Sequence, residues 1–168
     1  MNRTEAKTVG RREPGAGGLR KLIESCFSGT EVVVEVSPVI DAMDNLYAAE
    51  SSIVRKAVLS RKQEFSTGRF LARKATREFG VPDQALLRGE RGEVLWPDSL
   101  VGSISHTKEW CAVVVAGAGD VKGIGIDIEA DRFRSVDAMS LILHDSELPA
   151  FNRIDGSQRI RELLRIFS

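Results

Sequence analysis

Residues 101–129 read VGSISHTKEW CAVVVAGAGD VKGIGIDIE, and this stretch decides the fold. It contains three runs of strand length, Val101–His106, Trp110–Ala116 and Lys122–Glu129, rich in β-branched and small apolar residues. Short links around Thr107–Glu109 and Gly117–Asp120 join them. Links this short leave no room for crossover helices, so the strands are predicted to be antiparallel. In the last run Ile124, Ile126 and Ile128 fall on alternate positions and point toward a core. Gly123, Gly125, Asp127 and Glu129 take the opposite face.

Upstream the texture is helical. Phe65, Gly68, Ala72, Ala75 and Phe79 recur at steps of three and four, which predicts a helix over about 61–79. Gly80 and then Pro82 supply its stop. Gly68 inside the apolar seam points to close packing there, and Arg69, Arg73 and Arg77 form a basic stripe beside it. Leu46, Ala49, Ile53 and Ala57 predict a shorter helix within 46–59, and Leu19–Phe27 another. Thr30–Ser37 reads as a strand stopped by Pro38, and Ala85–Arg88 as a short strand before a turn at Gly89–Gly92. Trp96-Pro97-Asp98 reads as a loop, residues 1–18 as a mobile tail, and 136–143, 146–154 and 158–167 as helices. The pattern is α+β, with no internal repeat.

The chain has 168 residues, 42% hydrophobic and 29% charged, the composition of a globular protein rather than a disordered or disulfide-framed one. Twenty-four basic residues balance 24 acidic ones. A net charge of zero argues against a protein-wide basic field for nucleic acid or an anionic membrane. The charges are nevertheless segregated. Residues 55–77 hold eight bases and the single acid Glu64, whereas 120–147 hold seven acids and three bases. Cys26 and Cys111 form no framework, and Cys111 lies in an apolar run. No stretch reaches the ~20 apolar residues of a membrane span, and none resembles a secretory signal, so a reducing, cytoplasmic location is expected.

Three stretches have the makings of chemistry. Two carboxylates at i, i+2 beside two bare glycines, Asp127 and Glu129 with Gly123 and Gly125, suit Mg²⁺, which takes one or two acids plus water and phosphate oxygens. The same pattern also describes an acidic solvated strand face. Ser105 and His106 end a strand, where they fit a nucleophile with its base, donors to a phosphate, or a structural histidine. His144, at a helix boundary, reads as structural. The arginines of 55–77, with Arg88 and Arg91 around the glycine turn, fit a phosphate clamp, because the guanidinium fork binds phosphate bidentately. They equally fit a solvated helix face.

The order of the motifs is more specific than any one of them. Arg61–Arg69 (RKQEFSTGR), Arg88–Pro97 (RGERGEVLWP), Gly102–His106 (GSISH) and Gly125–Glu129 (GIDIE) together resemble the 4′-phosphopantetheinyl transferases, in the two-lobed subgroup of the enterobactin synthase component D type. The resemblance runs from about Leu46 to Ser168. It implies two pseudo-symmetric lobes, each with a helix packed on a small antiparallel sheet. Residues 19–120 would form the first lobe and 121–168 the start of the second. It also implies transfer of the 4′-phosphopantetheine arm of coenzyme A to a serine of an apo carrier protein, with release of 3′,5′-ADP. The carrier would belong to a peptide synthetase, a polyketide synthase or a fatty-acid synthase; the subgroup's namesake adds siderophore biosynthesis. By resemblance Asp127 and Glu129 are Mg²⁺ ligands and Ser105 and His106 contact the coenzyme A phosphates. Arg61, Arg69 and Arg88 hold the 3′-phosphate and adenine end, and His106, Asp127 and Glu129 are the catalytic candidates.

One departure stands out. The family's third motif has a Phe-Ser segment, one variable residue and then Lys-Glu, whereas this sequence reads LLRIFS at 163–168 and stops. The expectation is a second lobe left incomplete, with little or no transfer by residues 1–168 alone. The rival readings are a non-catalytic remnant that binds coenzyme A or a carrier, a Mg²⁺-dependent phosphoesterase or nuclease, and an interaction module without a ligand.

Overall fold

The structure, a computed structural model, describes residues 15–129. The predicted helices over 136–143, 146–154 and 158–167, together with His144 and the Phe167-Ser168 pair, lie outside the described residues. The chain divides into two units, 1–128 and 129–168. Ala16–Gly18, read from sequence as part of a tail, open the first helix.

The element order is α1 (Ala16–Ser25), β1 (Val32–Pro38), a 3₁₀ turn (Met43–Asn45), α2 (Ala48–Val54), α3 (Leu59–Glu78), β2 (Leu100–His106) and β3 (Trp110–Gly117). The sheet has the order β1-β3-β2, and both pairings are antiparallel. Val34 pairs with Val114 and Ser103 with the same Val114 from the other side, so β3 is central. This accounts for its unbroken apolar run. Cys111–Ala116 are all fully buried because β3 is covered on both faces. An apolar residue is then favoured at every position rather than every second one.

The two faces are covered differently. Cys111, Val113 and Val115 turn toward α3 and pack with Leu71, Ala72 and Ala75. Ala112 and Val114 turn the other way, with Val34, and meet Leu19 and Ile23 of α1 and Phe27 in the turn just after it. Those three residues are four apart, the spacing of one helix face. Ile124, Ile126 and Ile128 complete the second cluster, as their alternation predicts. The segment that carries them is nevertheless extended chain rather than a fourth strand. The Ile126 and Ile128 amides donate to the side-chain oxygens Ser103 Oγ (3.2 Å) and Ser105 Oγ (3.0 Å). Bonded to hydroxyls of β2 instead of its carbonyls, the segment forms no ladder.

α3 runs longer than its apolar seam, from Leu59, and ends as expected. Gly80 takes φ +72, its amide donates to the Arg77 carbonyl, and the Val81 amide reaches Thr76 O. This is a Schellman closure, which requires the left-handed conformation that glycine adopts without cost. Gly68 is the point of closest approach between helix and sheet. A Cβ there would lie 3.0 Å from Ile104 Cγ2 and 3.7 Å from Cys111 Sγ. The Ala85–Arg88 strand of the sequence reading is reduced to one bridge, Arg88 to Val94, within a small hairpin held by Leu95 N to Leu87 O and Gly89 N to Glu93 O.

The basic stripe of α3 is not a solvated face over its whole length. Arg77 is exposed and bonds Asp83, whereas Arg69 and Arg73 are buried. Arg73 Nη1 donates to both oxygens of Glu50, at 2.8 and 2.9 Å, and its Nη2 donates to Asn45 O. Glu50, fully buried, also accepts the Leu86 and Tyr47 amides. One carboxylate therefore ties α2, α3, the turn before α2 and the extended chain leading to Arg88. Burying such a pair is tolerable only because its remaining hydrogen-bonding groups are satisfied.

Candidate functional site: an arginine-lined pocket

A pocket of about 330 Å³ opens between the first half of α3, the end of β2 and the 88–94 hairpin. Arg61, Glu64, Phe65, Arg69, Arg88 and His106 are among its lining residues. The fold assembles them from three local patterns. Arg61, Phe65 and Arg69 are each one helical turn apart on α3. His106 ends β2 on the face turned toward that helix. Arg88 is presented by the hairpin, and Gly92 is needed opposite it: its φ is +93, and a Cβ there would lie 2.7 Å from Arg88 Nη2.

Arg69 is the unusual member. It is 5% exposed, its Nε has no hydrogen-bond partner among the described residues, and its guanidinium lies 4.6 Å from the centre of the Phe65 ring. Burial pushes its pKa down from 12.5 to about 10; Glu50 opposes this, and the neighbouring charges of Arg73, Arg61 and Arg88 add to it. A buried donor left without an acceptor carries a desolvation cost. Here it borders a space lined by two more arginines.

Arg61 Nη1 lies 2.6 Å from His106 Nε2. Arginine has no acceptor, so His106 Nε2 accepts and the ring proton sits on Nδ1. Glu64 Oε2 is 3.3 Å from Arg61 Nη1 and 3.7 Å from His106 Nδ1. Glu64 stood out in the sequence only as the lone acid of a basic stretch; its i, i+3 spacing from Arg61 was the available signal.

The structure separates what the sequence placed side by side. Ser105 and His106 are neighbours on a strand, so they face opposite sides of the sheet. His106 turns to α3, while Ser105 Oγ donates to Asp127 Oδ1 (2.8 Å) and accepts from the Ile128 amide. The two side chains thus have different partners. Asp127 is exposed, with Oδ2 free of any partner among the described residues, and Gly123 and Gly125 beside it have open space where a side chain would stand. Glu129 is exposed and opens the second unit. Among the described residues no cluster of three metal-ligating side chains occurs.

This α+β unit carries a basic pocket between helix and strand end. Residues 49–116 match the family model of the 4′-phosphopantetheinyl transferase N-terminal domain. Over that span the chain is similar to the N-terminal domain of the phosphopantetheinyl transferases, and its antiparallel sheet and helices fit that lobe. It is 35% identical over 103 residues to the 4′-phosphopantetheinyl transferase PptT of Mycobacterium tuberculosis, a match covering 60% of this chain and 45% of that protein. It is 40% identical over 89 residues to the transferase Svp of Streptomyces mobaraensis, covering 53% and 36% respectively. Enterobactin synthase component D of Salmonella typhimurium is 40% identical over 86 residues, covering 51% and 35%. The chain spans less than half the length of these curated relatives. Among the described residues no helix is long and apolar enough to cross a membrane.

Proposed function

We propose that this chain binds coenzyme A and takes part in moving its 4′-phosphopantetheine arm to a serine of an apo carrier protein. The observation that carries the reading is Arg69, a buried cation whose Nε lacks a partner among the described residues, in a pocket shared with Arg61, Arg88 and His106. Phosphate is the ligand that suits it. A phosphate monoester brings up to two negative charges and acceptor oxygens to a site with surplus N–H donors, and charge-assisted bonds are about twice as strong as neutral ones. We assign Arg61, Arg69 and Arg88 to the 3′-phosphate and adenine end, and His106 to a phosphate contact. Ser105 then acts through Asp127, which it orients.

In the proposed reaction the carrier serine oxygen attacks the β-phosphorus of coenzyme A. A new P–O bond forms to the serine, the bond to the bridging oxygen breaks, and 3′,5′-ADP leaves while the serine proton passes to a base. The protein's contribution is mostly positioning and charge stabilisation, as in other phosphoryl transfers. Asp127, and Glu129 two residues along the chain, are the carboxylates we assign to Mg²⁺. The exposed Asp127 carboxylate, its Oδ2 without a partner among the described residues, and the bare glycines beside it suit a hard cation that retains waters. When bound, the ion neutralises pyrophosphate charge. The carrier belongs to a peptide, polyketide or fatty-acid synthase, and the free thiols Cys26 and Cys111 accord with a cytoplasmic setting.

The test compares coenzyme A with its analogue lacking the 3′-phosphate by calorimetry, with and without Mg²⁺. Tighter binding of coenzyme A, lost in Arg69→Met, is expected; equal affinity for the two ligands refutes the pocket assignment. Asp127→Ala is expected to remove the Mg²⁺ dependence and leave the 3′-phosphate preference.

A further inference from the structure

The corner between α2 and α3 has a surface that neither the core nor the pocket uses. Residues 55–62 read RKAVLSRK. Val58 and Leu59 are 71% and 64% exposed, the most exposed of the large apolar side chains described. They sit among bases: Arg55 and Lys56 precede them, exposed, and the half-buried Lys62 stands one helical turn beyond Val58. Among the described residues no side chain of Arg55, Lys56 and Lys62 forms a hydrogen bond or an ion pair. The first turn of α3 contains no acid. Helix starts normally favour acids, and Arg61 and Lys62 reverse that preference. The corner is therefore unfavourable twice over in the free chain, with apolar side chains in water and positive charge gathered at one place.

We infer that this corner is the docking surface for the acceptor protein, and that the face it receives is an acidic helix presenting an apolar side chain between its carboxylates. The inference rests on the transfer reading above and locates its partner. Charge complementarity selects the occupant: unpaired bases around a small apolar centre match carboxylates around a small apolar knob. Such a rim accelerates encounter and rejects basic partners, while the buried apolar centre supplies the contact energy. A membrane surface fits less well. Two apolar side chains at a corner offer little to insert, and the chain as a whole has no net positive charge. The corner also adjoins the pocket, because Ala57 and Arg61 line that pocket from within this same stretch. An acceptor held here stands beside the bound ligand.

The experiment uses the full chain and two variants, Lys56→Glu/Lys62→Glu and Val58→Ser/Leu59→Ser. Melting temperatures confirm that each is folded. The probes are a recombinant apo carrier domain, titrated without coenzyme A, then coenzyme A alone, then vesicles of phosphatidylserine and phosphatidylcholine. Wild type is expected to bind the carrier, and either variant to bind it about tenfold more weakly, the size of two or three small rim contacts together. Coenzyme A affinity is expected to be unchanged in both. A carrier with its facing carboxylates changed to lysine should bind Lys56→Glu/Lys62→Glu better than wild type. No carrier binding by wild type, carrier affinity unchanged in both variants, or binding to the vesicles that the charge reversal removes overturns the proposal. Carrier binding without coenzyme A binding would overturn the pocket reading instead and leave the docking surface standing.

Discussion

Arg69→Met should make the protein more stable and less able to bind its ligand. The guanidinium sits at 5% exposure with Nε unbonded, and its pKa is held at about 10 rather than 12.5. At about 1.4 kcal/mol per pH unit, keeping this side chain charged costs the fold about 3 kcal/mol. The lowered value belongs to a base, so the penalty is present in full below pH 10 and is relieved only as pH rises past it. Methionine removes the charge and keeps much of the length, and its thioether still packs on Phe65. The lost stacking over the ring is worth about 1 kcal/mol. The net gain is then about 2 kcal/mol, a rise of about 6 °C in melting temperature for a chain of this size. The rise should be the same at pH 6 and pH 9. Meanwhile the affinity for 3′,5′-ADP should fall by about 10- to 100-fold, the loss of charged hydrogen bonds worth roughly 1.5–3 kcal/mol. Differential scanning fluorimetry with and without 3′,5′-ADP reads both effects. A lower melting temperature with ligand binding intact would refute the reasoning, because the arginine would then be a structural residue satisfied by the fold.

Other expectations follow from named contacts. Glu50→Ala leaves Arg73 buried and unpaired and two amides, Leu86 and Tyr47, without acceptors. It should cost about 3–5 kcal/mol, read as a lower midpoint in urea, and an unchanged midpoint would mean that water replaces the carboxylate. Gly102→Val would place a Cβ 2.7 Å from Trp96 Cζ2. It should turn the indole out into water, shift its fluorescence to the red and cost about 1–3 kcal/mol. Cys111 is fully buried, and burial, with a smaller contribution from Glu64, raises its pKa to about 12. A thiol reagent at pH 8 should therefore modify Cys26 alone in the native chain and both cysteines in denaturant. Fast modification of Cys111 under native conditions would place it outside the core.

Alternation and periodicity made most of the scaffold legible. β2 and β3 were readable from their β-branched runs and α3 from its small-residue seam, because each signal depends only on which faces a regular element turns toward a core. The 122–129 segment shows the limit. Its isoleucines alternate as in a strand and are buried as in a strand, but the amides bond to serine hydroxyls on a neighbouring strand. A one-dimensional pattern reports burial and says nothing about the acceptor. The arginines show a second limit. Arg69, Arg73 and Arg77 are equivalent in spacing yet differ in fate: one is buried without a partner for Nε, one is buried against Glu50, and one is exposed against Asp83. Glu50 drew no notice in the sequence because its partners, at positions 73 and 86, are far away along the chain.

The sequence by itself determined the α+β class, the apolar strand at 110–116, the helix with its close approach at Gly68, and the concentration of bases between residues 55 and 77. All of these follow from local periodicity, turn chemistry and composition. Only the tertiary structure decided which bases meet. The packing of α3 against β2 brings Arg61, Arg69 and His106 to one pocket. The hairpin adds Arg88, and the pleat of β2 sends Ser105 to the other side with Asp127. Those outcomes depend on distances between residues some 20 to 45 positions apart in the sequence, and the free energy of burying a charge is set by what those distant residues place around it.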